Sequence, residues 1–204
     1  MMCYASRTGT RRNLAALRAA GWGLLISRSG AWRTEGFARY VLDNGAWADH
    51  QAGRAFDGDA FERLIDRFGA GADWIVLPDI VAGGRQSLEL SLRWTNRCLS
   101  ACPLVLIAVQ DGMVESDLAH LVGRNAGIFL GGSTAWKLDT MARWGLFCAR
   151  HGVYYHVARV NTERRVWMAV AAGADSIDGS SASRYAVTLP MLDRASRQMD
   201  MLTP

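Results

Sequence analysis

The sequence predicts an α/β fold, a compact single-domain (β/α)8 barrel of the TIM type. Three observations carry that expectation. Eight short apolar runs are spaced about 25 residues apart along 204 residues. Most are separated by amphipathic stretches with helix caps, and alternation at this spacing means parallel strands. Each run also ends on a polar residue, as strands do where they open onto the catalytic face of such a barrel. An open, doubly wound parallel sheet is the alternative architecture.

The first strand is read at residues 2–5, followed by a hydroxyl-capped turn over 6–10. A helix over 13–20 places Leu14 and Leu17 on one face and stops at Gly21. The second strand covers 22–27. Residues 28–39 are basic and interrupted by glycine, which predicts a loop with at most a short helix. The third strand covers 40–47. The helix over 56–68 is the clearest in the chain, with Phe61, Leu64, Ile65 and Phe68 as its stripe, Asp59 and Glu62 as a capping pair, and Gly69 as its stop.

The fourth strand spans 73–79, and a Gly83-Gly84 loop leads into a helix reaching about residue 100. The fifth strand, 103–110, is apolar enough for burial on both faces. A helix near 115–122 precedes the sixth strand, 127–132. Ser133 or Thr134 caps a helix to residue 151, and 153–160 is the seventh strand. Asn161 or Thr162 caps a helix to 172, the eighth strand is 175–178, and a last helix covers 189–199. No linker or repeat divides the chain, so residues 1–204 are read as one domain.

Composition narrows the function classes. Half of the residues are apolar, yet no uninterrupted apolar run is long enough to span a membrane. The N-terminal segment is polar and carries Arg7, Arg11 and Arg12, unlike a signal peptide, so a cytoplasmic protein is expected. Cys3, Cys98, Cys102 and Cys148 form no CxxC pair and read as buried thiols rather than a zinc site. Net charge is +4 but uneven: residues 1–40 hold seven arginines against one glutamate. Every basic residue except Lys137 is arginine, which suits a phosphate-bearing partner.

The strand ends deliver the candidate site. Asp43 and Asn44 follow the third strand, Asp79 the fourth, and Gln110 with Asp111 the fifth. Gly131, Gly132 and Ser133 follow the sixth, Arg159 and Asn161 the seventh, and Asp178 the eighth. Asp178 is followed by Gly179, Ser180, Ser181, Ser183 and Arg184, small or hydroxyl-bearing residues with one cation. None of His50, His120, His151 and His156 is expected in the site, because none has metal-ligand spacing. No metal and no cofactor is expected. Carboxylate, amide and glycine backbone together suit an uncharged planar heterocycle with a guanine-like edge. A spare carboxylate beside C1′ can then attack the glycosidic carbon.

In order and spacing, Leu42-Asp43-Asn44-Gly45-Ala46-Trp47, Leu77-Pro78-Asp79, Ala108-Val109-Gln110-Asp111-Gly112, the run 127–132 and the run 174–179 resemble the tRNA-guanine transglycosylase superfamily. That superfamily includes shorter phage and bacterial members that place 7-deazaguanines in DNA. The resemblance spans residues 40–184 and implies roles. Asp178 becomes the nucleophile and Asp43 the acid/base or base-contacting carboxylate. Asp79 accepts from the guanine N1–H and amine, and Gln110 with the Gly131-Gly132 backbone holds O6.

The superfamily's CxCxxC zinc module is missing here, which favours DNA over tRNA as the acceptor. A guanine or 7-deazaguanine base and a nucleic acid are the expected partners, with a homo-oligomer or a partner protein as a further expectation and no membrane. Arg159, Arg184, Arg164 and Arg165 lie where they can meet phosphates, and Trp47, Trp136 and Tyr185 where they can stack. Two other readings stay open. One is a metal-assisted hydrolase using Asp43, Asp79 and Asp178; the other is a non-catalytic module that binds a purine or nucleic acid.

Overall fold

The computed structural model describes residues 1–7, 10–185 and 187–197. Eight parallel strands close on themselves in the order β1 to β8. They are β1 (Met2–Ser6), β2 (Gly23–Ser27), β3 (Tyr40–Asp43), β4 (Ile75–Val76), β5 (Val105–Val109), β6 (Ala126–Leu130), β7 (Tyr155–Val157) and β8 (Ser176–Gly179). Closure comes from β1 pairing with β8, Met2 opposite Ser176 and Tyr4 opposite Asp178, which removes the open-sheet alternative. The chain is a single compact (β/α)8 domain.

Nine α-helices accompany the strands among the described residues: α1 (Arg11–Ala19), α2 (Ala46–Gln51), α3 (Gly58–Phe68), α4 (Gly84–Leu99), α5 (Glu115–Leu118), α6 (Thr134–His151), α7 (Glu163–Ala171), α8 (Ser181–Arg184) and α9 (Leu189–Arg197). No helix is long and apolar enough to cross a membrane among the described residues.

Two apolar layers follow from the alternation of side chains along each strand. On β5, Val105, Ile107 and Val109 join the layer between sheet and helices, with Leu17, Leu64, Trp144 and Leu192. Leu106 and Ala108 point the other way and fill the barrel with Tyr4, Leu25, Val41, Trp74, Val76, Phe129 and Ala158. Stacked side chains make that interior a core and leave space only where the strands end.

Local chemistry corrects several boundaries. The third strand stops at Asp43 rather than running to residue 47. Gly45 takes a left-handed conformation, φ 81°, and Asn44 Oδ1 accepts the Ala46 N–H, so the chain turns into α2 instead. β4 is two residues long, not seven. Residues 28–39 hold no helix. Asp57, not the Asp59/Glu62 pair, caps α3 by accepting the Ala60 N–H at 2.9 Å. Ser133 and Thr162 prove to be the caps of α6 and α7. The helix after β5 is one turn, Glu115–Leu118, and α8 was not anticipated. The turn expected at 6–10 includes Thr8 and Gly9, and the last helix was expected to reach Met199; these three residues lie outside the described ones.

Candidate active site

The strand-end residues converge on one pocket at the C-terminal mouth of the barrel. Its volume is about 180 Å³, somewhat larger than the roughly 150 Å³ cavity that accepts benzene. Asp43, Asn44, Asp79, Gln110, Gly131, Gly132, Arg159 and Asp178 all line it, together with Trp47 and Phe129. Arg184, at the end of α8, is exposed and does not line it.

One wall is built by β3, β4 and β5. Asp79 is 8 % exposed. Its Oδ1 accepts from Asn44 Nδ2 and its Oδ2 from Gln110 Nε2, both at 2.6 Å. Asn44 also donates to the Leu77 carbonyl at 2.7 Å, tying β3 to the segment after β4. Gln110 Oε1 accepts two backbone N–H groups, Ala82 at 3.1 Å and Gly132 at 3.0 Å, so its amide orientation is fixed. Burial raises the Asp79 pKa from 3.8 to about 7, with the Asp43 charge adding to the rise and the two amide donors opposing it.

A carboxylate offers about four lone-pair sites and a primary amide two hydrogens. Two acceptor sites on Asp79 and one hydrogen on Gln110 therefore remain for a ligand. Gly131 and Gly132 do not play the part expected of them. The Gly131 N–H donates to the Val109 carbonyl at 3.1 Å and the Gly132 N–H to Gln110 Oε1, so neither is left for a base carbonyl. Their contribution is space. A Cβ on Gly131 would stand 2.8 Å from Gln110 Nε2.

The facing wall comes from β7 and β8. Asp178, 6 % exposed, accepts on Oδ1 from the Arg159 N–H at 3.1 Å. Arg159 itself takes a left-handed conformation, φ 57°, unusual for a residue with a Cβ. That geometry turns its N–H toward Asp178 while its guanidinium donates to the Gly132 carbonyl and lies 4.1 Å above the Trp47 ring. The arginine thereby links the loops after β6 and β7 to α2 across the pocket mouth. Trp47 is positioned by α2, which a buried ion pair between Asp49 and Arg28 anchors to the loop after β2. Arg28 also donates to the Asn44 carbonyl at 2.8 Å.

Asp43 sits between the walls. Its Oδ1 accepts from Ser27 Oγ and from the Gly45 N–H, each at 2.8 Å. Burial raises its pKa, the Ser27 hydroxyl opposes that, and the charge of Asp178 raises it further.

Two buried polar neighbours of the pocket residues were not expected from the sequence. His156 is fully buried, yet its Nε2 lies 3.0 Å from Asp178 Oδ1 and its Nδ1 2.7 Å from Ser176 Oγ. The imidazole does not line the pocket but stands directly behind Asp178. The available signal was parity: His156 on β7 is two residues before Ala158, which packs inside the barrel, just as Ser176 is two residues before Asp178 on β8. Lys137 is 1 % exposed on the first turn of α6 and donates to the Ala158 carbonyl. Burial lowers its pKa from 10.5 to about 7, with Arg159 adding to the fall and Asp178 opposing it.

Among the described residues no three His, Cys, Asp or Glu side chains converge as a metal-ligand set. Comparison of the chain with protein-family models and with curated proteins gives no match.

Proposed function

We propose that the protein is a base-exchange transglycosylase, a pentosyltransferase that replaces guanine in a nucleic acid by a 7-deazaguanine. The observation that carries this reading is the pairing of two differently furnished carboxylates across one pocket. Asp79, locked by Asn44 and Gln110, presents acceptors beside a single amide donor, the complement of a guanine N1–H, exocyclic amine and O6. Asp178, on the opposite strands, presents an oxygen to whatever that wall holds.

In the proposed reaction Asp178 Oδ2 forms a bond to C1′ as the C1′–N9 bond breaks. The bonding pair leaves with N9, and Asp43, whose raised pKa lets it carry a proton, protonates the departing base. The incoming base gives its own ring N–H proton back to Asp43 and attacks C1′ on the same side. The ester C–O bond breaks and the Asp178 carboxylate is restored. Each of the two steps passes through an oxocarbenium-like transition state, stabilised by the adjacent carboxylate.

A base must leave the stack to enter a pocket this deep, which favours single-stranded or flipped substrate. Exposed arginines support a nucleic acid. Arg11 and Arg12 open α1, where cations oppose the helix dipole and so do nothing for stability. Arg164 lies on α7 and Arg184 on α8, and α8 is joined to α1 through the Asn13 side chain and the Ser183 carbonyl at 2.9 Å. These cations lie on the helices that follow β7, β8 and β1. DNA is preferred to tRNA because the chain has no cysteine-rich zinc module. The four cysteines are free and buried, in keeping with a reducing, cytoplasmic setting.

Incubation with labelled guanine and separate DNA and tRNA pools tests the proposal. Label should enter DNA and be displaced by an added 7-deazaguanine. Absence of label from both pools would overturn it.

A further inference from the structure

Asp178, His156 and Ser176 form a continuous hydrogen-bonded chain of carboxylate, imidazole and hydroxyl. The same three groups make a hydrolytic triad, but here the order of access is reversed. Ser176 is fully buried within the barrel, whereas Asp178 opens onto the pocket. A sealed hydroxyl cannot attack a substrate, so the histidine serves the carboxylate end.

The surroundings hold the imidazole in one place. Its ring stacks on Phe129 with centroids 4.9 Å apart and 18° between planes, and lies 4.7 Å from Trp74. Its hydrogen bonds also select a tautomer. If Nε2 carries the proton, it donates to Asp178 Oδ1 and Nδ1 accepts the Ser176 hydroxyl hydrogen, so every polar atom is satisfied. If Nδ1 carries it, two lone pairs face each other across 3.0 Å. The groups whose charge acts on His156 are Asp178 on β8 and Lys137 on α6. Burial works against the imidazolium first, Asp178 favours it and Lys137 adds to its cost, leaving the His156 pKa lowered.

Oδ1 of Asp178 thus receives two N–H donors, His156 Nε2 at 3.0 Å and the Arg159 backbone at 3.1 Å. No hydrogen bond reaches Oδ2 among the described residues. We infer that His156 is a positioning residue: as a neutral Nε2–H imidazole, its tautomer set by the acceptor-only Asp178 carboxylate and its Nδ1 satisfied by Ser176, it fixes Oδ1 and leaves Oδ2 as the attacking oxygen. This inference rests on base exchange for the attack itself, but the tautomer and the clamp do not depend on substrate.

The test therefore has two arms. Long-range ¹H–¹⁵N correlation on labelled, ligand-free protein reads the tautomer from pH 6 to pH 8. A neutral ring protonated on Nε2 throughout is expected, and Asp178→Ala, which removes the acceptor facing Nε2, should mix in the other tautomer. A neutral ring protonated on Nδ1, or an imidazolium across that range, would overturn the inference.

In the second arm His156→Phe keeps the aromatic stack and removes the donor. We expect kcat for guanine exchange to fall by about a hundred-fold, with KM and guanine affinity within two-fold. His156→Gln, which restores an N–H donor, should recover at least about a tenth of the wild-type rate. Equal loss in both variants, or a loss confined to KM, would overturn positioning. If His156→Phe fails to fold, the tautomer and the Gln variant still decide. If the wild-type protein exchanges no base at all, the base-exchange reading fails, while the tautomer separately decides the clamp on Oδ1.

Discussion

Asp79 and Asp178 are the same residue type, buried to nearly the same depth at the ends of strands on opposite sides of the barrel, and they are differently surrounded. Asp79 meets neutral amides on both oxygens, so burial dominates and its pKa rises to about 7. Asp178 meets N–H donors on one oxygen only, from an imidazole and a strained backbone, with Lys137 and Arg159 close behind. In the proposed reaction the first, held by amides with two acceptor sites to spare, would read the base, and the second, with one oxygen unbonded, would react. Neighbours rather than residue identity or depth divide the roles, and substitutions on the two sides should separate accordingly.

The largest effect is expected on the β8 side. Asp178→Asn should lower guanine exchange by at least about a thousand-fold, as removal of a nucleophile does, while calorimetry still detects the bound base. Retained exchange would erase the difference between the two walls.

Asp79→Asn should do the reverse. Guanine affinity should fall by about 10- to 100-fold, the loss of hydrogen bonds to a charged acceptor, with Asp178 still able to react. The same wall should titrate. Protonation of Asp79 below about pH 7 removes an acceptor, so wild-type affinity for guanine should weaken as pH falls through that value and the Asn variant should lose this dependence.

Stability offers a second view of the contrast. The raised Asp79 pKa means that its contribution to stability is complete below 3.8 and is lost as pH rises through about 7. Lys137 has the opposite sign: its contribution is complete above 10.5 and is lost as pH falls through about 7. Urea unfolding across pH should therefore show a minimum near neutrality. Asp79→Asn should flatten its acid limb and Lys137→Met its alkaline limb, each by about 1.4 kcal/mol for every pKa unit of displacement.

Smaller changes are expected at the mouth. Trp47→Ala removes a cation–π contact with Arg159 worth about 0.5–1 kcal/mol, so guanine affinity measured by fluorescence should fall about two- to five-fold. Arg11→Ala should leave affinity for the free base unchanged. It should reduce the slope of log affinity for single-stranded DNA against log salt by about 0.7.

The barrel was legible because its signals are repetitive. Eight apolar runs and the caps between them follow from burial and hydrogen bonding, and the polar ends of β3 to β8 placed Asp43, Asp79, Gln110, Arg159 and Asp178 correctly on one rim. What stayed hidden depends on geometry that spacing does not carry. The run from Tyr40 to Trp47 reads as one strand until Gly45 adopts its left-handed turn. His156 looks like a core residue between Tyr155 and Val157, and only the β7–β8 register, with His156 opposite Ser176, sets it against Asp178. The glycine N–H groups looked available until Val109 and Gln110 proved to occupy them.

The central claim is that Asp178 forms a bond to the sugar. Intact-mass spectrometry of protein quenched with a short guanine-containing single-stranded DNA, in the absence of free base, tests it most directly. The account predicts an adduct equal to protein plus oligonucleotide minus guanine, mapped by digestion to Asp178 and absent from Asp178→Asn. An adduct on another residue, or guanine exchange with no adduct at any quench time, would contradict it.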